Sequence, residues 1–256
     1  MSSFSIAPGD PCWIDLVTAD PQRSKEFYAA LFGWSYDGWD EQAVDGYIMA
    51  FKDGGTVAGM VENGGGSGYP DSWTTYLRAD GIAAVAAAVP GHGGRVLIGP
   101  MVVSAQGSMA LVADPSGATV GLWQPGLHPG FGVHGLPGSA VRHQLLASDY
   151  DASVAFYNNA FGWETQAGNG PDGQRRATLG AGPHATAAII DASADLPAQA
   201  PGHWQVAFGV DDADAAAAAA AALGARVLSP VGEDGHGRSA TLADPTGAVF
   251  QIAQLP

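Results

Sequence analysis

The fold of this chain is decided by a stretch that occurs twice. Residues 20–34 read DPQRSKEFYAALFGW, and residues 149–163 read DYDASVAFYNNAFGW. Two more landmarks return in the same order: Trp73 matches Trp204, and ADPSGA at 113–118 matches ADPTGA at 243–248. The offsets are 149 − 20 = 129, 204 − 73 = 131 and 243 − 113 = 130 residues. Three landmarks at nearly one offset indicate that the same unit is written twice.

The composition changes between the two copies. Residues 124–138 read QPGLHPGFGVHGLPG, and such a density of Gly and Pro is typical of a linker. We therefore predict a first domain over residues 1–125, a Gly/Pro-rich linker over 126–138 and a second domain over 139–256.

Each copy reads as a strand, a helix and further strands, and this round occurs twice per copy. In the first round Asp20 is a favourable N-cap, Pro21 suits the first helical turn, and Gly33 can end the helix in a left-handed turn. Asp80 is predicted to cap the helix of the second round. In the second copy an Ala-rich helix is predicted from Asp212 to Leu223.

These motifs resemble the vicinal-oxygen-chelate superfamily of glyoxalases, bleomycin-resistance proteins and dioxygenases. The resemblance rests on a strand followed by Asp, the FY…FGW helix end and the DPxG hairpin before the last strand. It covers nearly the whole chain twice, and looks most similar to tandem actinobacterial proteins of the 27 kDa antigen-like type. It implies an α+β fold in which four βαβββ modules form two cup-shaped mixed β-sheets with helices packed outside. The modules pair either in order, or first with fourth and second with third.

The composition indicates which kinds of partner and which cellular compartment to expect. The 10 Lys and Arg residues against 25 Asp and Glu give a formal charge of −15, which repels nucleic acid and anionic lipid. Cys12 is the single cysteine, and the chain has neither a signal-like N-terminus nor a run of about 20 apolar residues. We expect a cytoplasmic protein, a monomer or weak homodimer, whose partner is a small molecule rather than nucleic acid or a membrane.

The resemblance also implies where a divalent metal would be held: two slots on opening strands and two on closing strands. The slots that can be placed hold Trp13, Thr74 and Gly121 in the first half, and Arg142, Gln205 and Gln251 in the second. Two neutral amides do not hold a catalytic ion, so we predict no metal and no cofactor. A surface or loop position is favoured for all seven histidines, although His143 belongs to a strand; they are His92, His128, His134, His143, His184, His203 and His236.

Strand alternation predicts which side chains line the cups. The predicted ligand-binding set mixes aromatic, amide and charged groups: Trp13, Asp15, Thr74, Tyr76, Arg142, Gln144, Gln205 and Gln251. Such a mixture suits a planar organic ligand held by a few hydrogen bonds. Asp15 is the best candidate for a general base, with Tyr76 or Arg142 polarising a carbonyl.

Three functions follow. The first is a metal-independent binding protein that sequesters a planar or aromatic ligand, as drug-resistance members of the superfamily do. The second is a metal-independent tailoring enzyme, an isomerase, cyclase, lyase or oxygenase-like protein, acting on an aromatic metabolite. The third is a scaffold whose second domain is vestigial. The sequence identifies neither the ligand nor the cup that binds it, and it leaves open whether chemistry occurs.

Overall fold

A computed structural model describes residues 6–38, 46–64, 70–170, 173–180, 185–234 and 237–256. The first half contains β1 (Pro11–Thr18), α1 (Pro21–Phe32), β2 (Ser35–Gly38), β3 (Ile48–Lys52), β4 (Gly55–Glu62), β5 (Ser72–Arg78), α2 (Ile82–Ala88), β6 (Arg95–Val103), β7 (Gly107–Ala113) and β8 (Thr119–Pro125). The second half contains β9 (Ala140–Ala147), α3 (Tyr150–Phe161), β10 (Thr165–Asn169), β11 (Arg175–Leu179), β12 (Ala187–Asp191), β13 (His203–Val210), α4 (Ala213–Ala222), β14 (Arg226–Glu233), β15 (Arg238–Ala243) and β16 (Val249–Gln254).

These strands form two mixed sheets of eight strands each. The orders are β2-β3-β4-β1-β5-β8-β7-β6 and β10-β11-β12-β9-β13-β16-β15-β14. Within a module the first strand pairs in parallel with the last, as β1 does with β4 and β13 does with β16, and the remaining neighbours are antiparallel. The predicted α+β fold of tandem βαβββ modules is therefore confirmed. Among the described residues, no helix combines the length and the hydropathy that a membrane span requires.

The chain also divides into two compact units that differ from the two sheets. The first unit comprises Met1–Trp13, Thr75–Gly130 and His143–Trp204, and so contains most of the second and third modules. The second unit comprises Ile14–Thr74, Phe131–Arg142 and Gln205–Pro256, and so contains most of the first and fourth modules.

The helix starts predicted at Asp20 and Asp212 are confirmed, and Asp149, the counterpart of Asp20 in the second copy, caps α3 in the same way. Asp20, Asp149 and Asp212 each accept a hydrogen bond from the backbone N–H three residues later, at 3.0 to 3.1 Å. The cap predicted at Asp80 is wrong. Gly81, in a left-handed conformation, stands at the N-cap of α2, while the Asp80 carboxylate binds Arg78. The side-chain oxygen of Gln124 accepts from the N–H groups of Gly81 and Ile82, so the helix start is satisfied from β8 instead.

The repeated landmarks form one buried network in each unit. In the second unit Trp73 Nε1 donates to the Tyr28 hydroxyl at 3.0 Å, and that hydroxyl donates to Asp244 Oδ2 at 2.9 Å. In the first unit Trp204 Nε1 donates to the Tyr157 hydroxyl at 3.0 Å, and a hydrogen bond joins Tyr157 to Asp114. Burial and the neighbouring carboxylate raise the pKa of both tyrosines, so both stay protonated. The FY, Trp and ADPxG motifs are therefore structural.

Candidate functional site

Four register pairs lie at equivalent places in the four modules. They are Asp15 with Gly59, Tyr76 with Gly121, Gln144 with Ala188, and Ala207 with Gln251. Each pair joins one Gly or Ala to one larger side chain. The larger side chain is Asp in the first module, Tyr in the second and Gln in the third and fourth, so the pair differs between the equivalent modules of the two copies.

In the first unit, Tyr76 occupies the space beside Gly121. A Cβ atom on Gly121 would lie 2.1 Å from Tyr76 Cδ1 and 2.4 Å from Cε1, well inside van der Waals contact. The Tyr76 ring is only 7% exposed. The family resemblance implies a metal-binding Glu at the position of Gly121, and here an aromatic ring leaves no room for that side chain.

In the second unit, Asp15 and Tyr47 share the space beside Gly59. The Tyr47 hydroxyl donates to Asp15 Oδ1 at 2.5 Å, and the Asp15 side chain is 8% exposed. A Cβ atom on Gly59 would lie 1.8 Å from the Tyr47 hydroxyl oxygen and 2.1 Å from Asp15 Oδ1. Gly59 is therefore required for the pair. The sequence analysis missed this contact, since the partners are 32 residues apart.

An aromatic cluster of Trp13, Trp123 and His128 lies in the first unit. The rings of Trp13 and His128 meet edge to face with centroids 4.4 Å apart, and Trp123 Nε1 donates to the His128 carbonyl at 3.0 Å. His128 lies in the loop between β8 and β9, as predicted, but it is 7% exposed, so a surface position is wrong. Burial lowers the pKa of His128 to about 4, which keeps the ring neutral near pH 7. A ligand stacked on Trp13 has to displace this ring, because Trp13 itself is 2% exposed.

The other histidines divide between buried and exposed positions. His143 is fully buried and contacts Thr75 Oγ1 through Nδ1 at 3.3 Å, so a surface position is wrong for it too. His134 is half-buried beside Phe131, and burial lowers its pKa to about 4. His92 and His203 are exposed, as predicted. His184 and His236 lie outside the described residues.

In the second unit, polar side chains cover one face of the fourth module. Arg142 Nη2 donates to Asp234 Oδ2 at 2.8 Å, and Ser239 Oγ donates to the same oxygen at 2.8 Å. Gln251 Nε2 donates to Thr241 Oγ1 at 3.4 Å. The sequence analysis missed Asp234, because it lies 92 residues from Arg142 along the chain.

The remaining residues of the predicted ligand-binding set are buried or half-buried. Gln205 and Gln144 are buried, at 7% and 6% exposure, and Thr74 is half-buried. Gln205, Gln251 and Arg142 belong to the second unit, whereas Gln144 belongs to the first.

The residues present do not fit the superfamily's metal site. Its slots hold side chains that are poor metal ligands: Trp13, Thr74, Arg142, Gln205 and Gln251. At the remaining slot, Gly121, the Tyr76 ring occupies the space. The guanidinium of Arg142 would repel a cation. Among the described residues, no three His, Cys, Asp or Glu side chains come together as potential ligands.

Comparison with known proteins agrees with the fold and the repeat. Residues 12–122 match the profile of the Glyoxalase/Bleomycin resistance protein/Dioxygenase superfamily, and residues 141–253 match that of the glyoxalase-like domain. The chain belongs to this superfamily. The protein CFP32 of Mycobacterium tuberculosis, named as a glyoxylase, is 37% identical over 250 residues, covering 95% of this chain and 94% of that protein. The anthracycline biosynthesis protein DnrV of Streptomyces peucetius is 32% identical over 263 residues, covering 98% and 94%.

Solved structures of superfamily members share the architecture. The Mn(II)-bound glyoxalase from Novosphingobium aromaticivorans superimposes with a TM-score of 0.68 at 17% identity, covering 96% of this chain and 82% of that one. The 2,3-dioxygenase LapB from Pseudomonas sp. KL28 gives 0.68 at 13% identity, covering 98% and 94%. At these identities the likeness concerns the fold alone.

Proposed function

We propose that this protein binds a planar or aromatic organic molecule without a resident metal ion. The observation that carries the proposal is Tyr76 beside Gly121, because an aromatic ring fills the space of a metal-binding carboxylate. A ring on this sheet face is a flat apolar surface, which suits stacking. The relative DnrV, named for anthracycline biosynthesis, supports an aromatic ligand, since anthracyclines are planar polycyclic compounds.

The test is a titration of tryptophan fluorescence with a panel of aromatic polyketides and quinones. Tyr76→Ala removes the ring and is expected to weaken binding by roughly tenfold, because stacking contributes about 0.5–1.5 kcal/mol beyond area burial. Tyr76→Phe keeps the ring and should retain most of the affinity. Trp13→Phe tests whether a ligand reaches beneath His128. Tyr150→Ala, at a tyrosine on α3 whose ring contacts Arg175 and which is outside the predicted set, is the control. Full affinity in both Tyr76→Ala and Trp13→Phe would overturn this site.

The Asp15–Tyr47 pair favours a second candidate, a tailoring enzyme that moves a proton. A buried carboxylate with a phenol at 2.5 Å has the chemistry of a general base beside a hydrogen-bond donor. In an isomerisation, Asp15 would take a proton from a carbon next to a carbonyl. The electron pair of that C–H bond forms an enolate, and Asp15, whose proton exchanges with solvent, then returns a proton to another carbon. The step balances without an oxidant or a co-reactant.

Incubation of the panel in deuterated water, followed by mass spectrometry, tests this second candidate. The wild type should exchange or isomerise one compound, and Asp15→Asn should slow this by a factor of 100 or more, a size typical of general bases at about 10²–10⁴. Asp71→Asn is the matched control, because Asp71 binds the backbone N–H of Ala19. Equal rates for Asp15→Asn and the wild type would refute the enzyme and leave the binding protein standing.

A further inference from the structure

Among the buried polar atoms of the second unit that have no hydrogen-bond partner in the described residues are three from two side chains. They are Nε and Nη1 of Arg142 and Oε1 of Gln251. Leaving such a group unpaired costs about 1–3 kcal/mol, and more when it is charged. Native proteins rarely accept this cost, so the atoms indicate partners from outside the chain, either ordered water or a bound molecule.

The three atoms belong to one continuous polar surface. Arg142 reaches Asp234, and Asp234 in turn binds Ser239 on β15. Ser239 and Thr241 are two residues apart on that strand and so share a face, and Thr241 binds Gln251. Phe250, the neighbour of Gln251 on β16, packs in the aromatic core instead. The unpaired atoms therefore face the same side of the sheet, away from the core.

The chemistry of these atoms limits the class of ligand. Asp234 already balances the charge of Arg142, and the chain carries a net −15, so the surface offers little attraction for an anion. Nε and Nη1 lie on different edges of the guanidinium, so one bidentate carboxylate cannot serve both. Two separate acceptor oxygens can. Gln251 Oε1 requires a donor, for which a hydroxyl is sufficient.

We infer that the second half holds a ligand site of its own, for an uncharged molecule that carries at least two acceptor oxygens and a hydroxyl. Carbonyl oxygens accept from Arg142, and the hydroxyl donates to Gln251. Hydroxyquinones and hydroxylated aryl ketones have this pattern. The site does not depend on the one proposed at Tyr76, because Arg142 and Gln251 belong to the other compact unit.

Isothermal titration calorimetry with 1,4-dihydroxyanthraquinone tests this inference, with 9,10-anthraquinone and anthraquinone-2-carboxylate as comparison probes. The dihydroxy compound should bind the wild type more tightly than either comparison probe. Arg142→Lys keeps a cation for Asp234 but removes the guanidinium donors, and Gln251→Met keeps the shape of the side chain. Each is expected to weaken binding by about tenfold. Arg238→Lys, at an exposed arginine that pairs with Asp214, is the control and should bind as the wild type does.

The outcomes separate this site from the one at Tyr76. Affinity that falls in Arg142→Lys and Gln251→Met but holds in Tyr76→Ala supports the inference. Affinity that falls only in Tyr76→Ala overturns it and supports the proposed function instead. No binding of the dihydroxy compound, or tighter binding of the carboxylate, also overturns it. Thermal unfolding of each variant checks that the second unit remains folded.

Discussion

Gly121→Ala is the sharpest test of the claim that Tyr76 fills a former ligand slot. The added methyl would lie 2.1 Å from the Tyr76 ring, whereas carbon atoms in contact lie about 3.5–4.0 Å apart. The ring is buried, so it has to shift by more than an ångström. Overpacking of this kind costs about 1–3 kcal/mol, partly offset by the 0.5–1 kcal/mol that Ala gains over Gly within a strand. We expect a net loss of about 1–2 kcal/mol.

Urea denaturation followed by circular dichroism measures this loss, with Gly99→Ala as the matched control. Gly99 lies on β6 of the same sheet, and a Cβ atom there would meet nothing within 4 Å, so this variant should be neutral or slightly stabilising. The decisive measurement is made on the double variant that combines Tyr76→Ala with Gly121→Ala. In a Tyr76→Ala background the space is empty, and Gly121→Ala should then cost nothing. An equal cost with and without the ring would refute the reasoning.

Two further predictions concern stability. The pKa of His128 falls from 6.5 in the unfolded chain to about 4, so the unfolded state takes up a proton first and stability falls as pH drops from 6.5 to 4. At about 1.4 kcal/mol per pH unit, the free energy of unfolding falls by about 3 kcal/mol. Urea denaturation across that pH range should show this loss, and His128→Phe should show a weaker dependence on pH. Asp244→Ala should destabilise by about 3 kcal/mol, because Asp244 binds buried Tyr28 and several backbone N–H groups. The exposed cap variant Asp149→Ala should lose only about 1 kcal/mol in the same assay.

Local rules account for what the sequence predicted well. Asp20, Asp149 and Gly33 act within a few residues of themselves, so their effect on the helices is visible in the sequence. Asp80 failed because a distant side chain, Gln124, satisfies the helix start.

The missed members of the candidate site share a different property. Tyr47 meets Asp15, and Asp234 meets Arg142, across separations of 32 and 92 residues. His128 stands in a Gly/Pro-rich stretch whose composition carries no sign of burial. The register between strands that are distant in the sequence decides these contacts. The periodicity along one strand gives no information about that register.

The four equivalent register pairs have an evolutionary consequence. After a duplication, one copy can keep an ancestral task while the other changes freely, and the changes accumulate where the fold does not depend on them. Here the Tyr, Trp and Asp of the buried networks stayed the same in both copies, whereas the pairs led by Asp15, Tyr76, Gln144 and Gln251 all diverged. A tandem chain built this way can acquire a second specificity without losing the first. Its two halves are free to recognise different molecules.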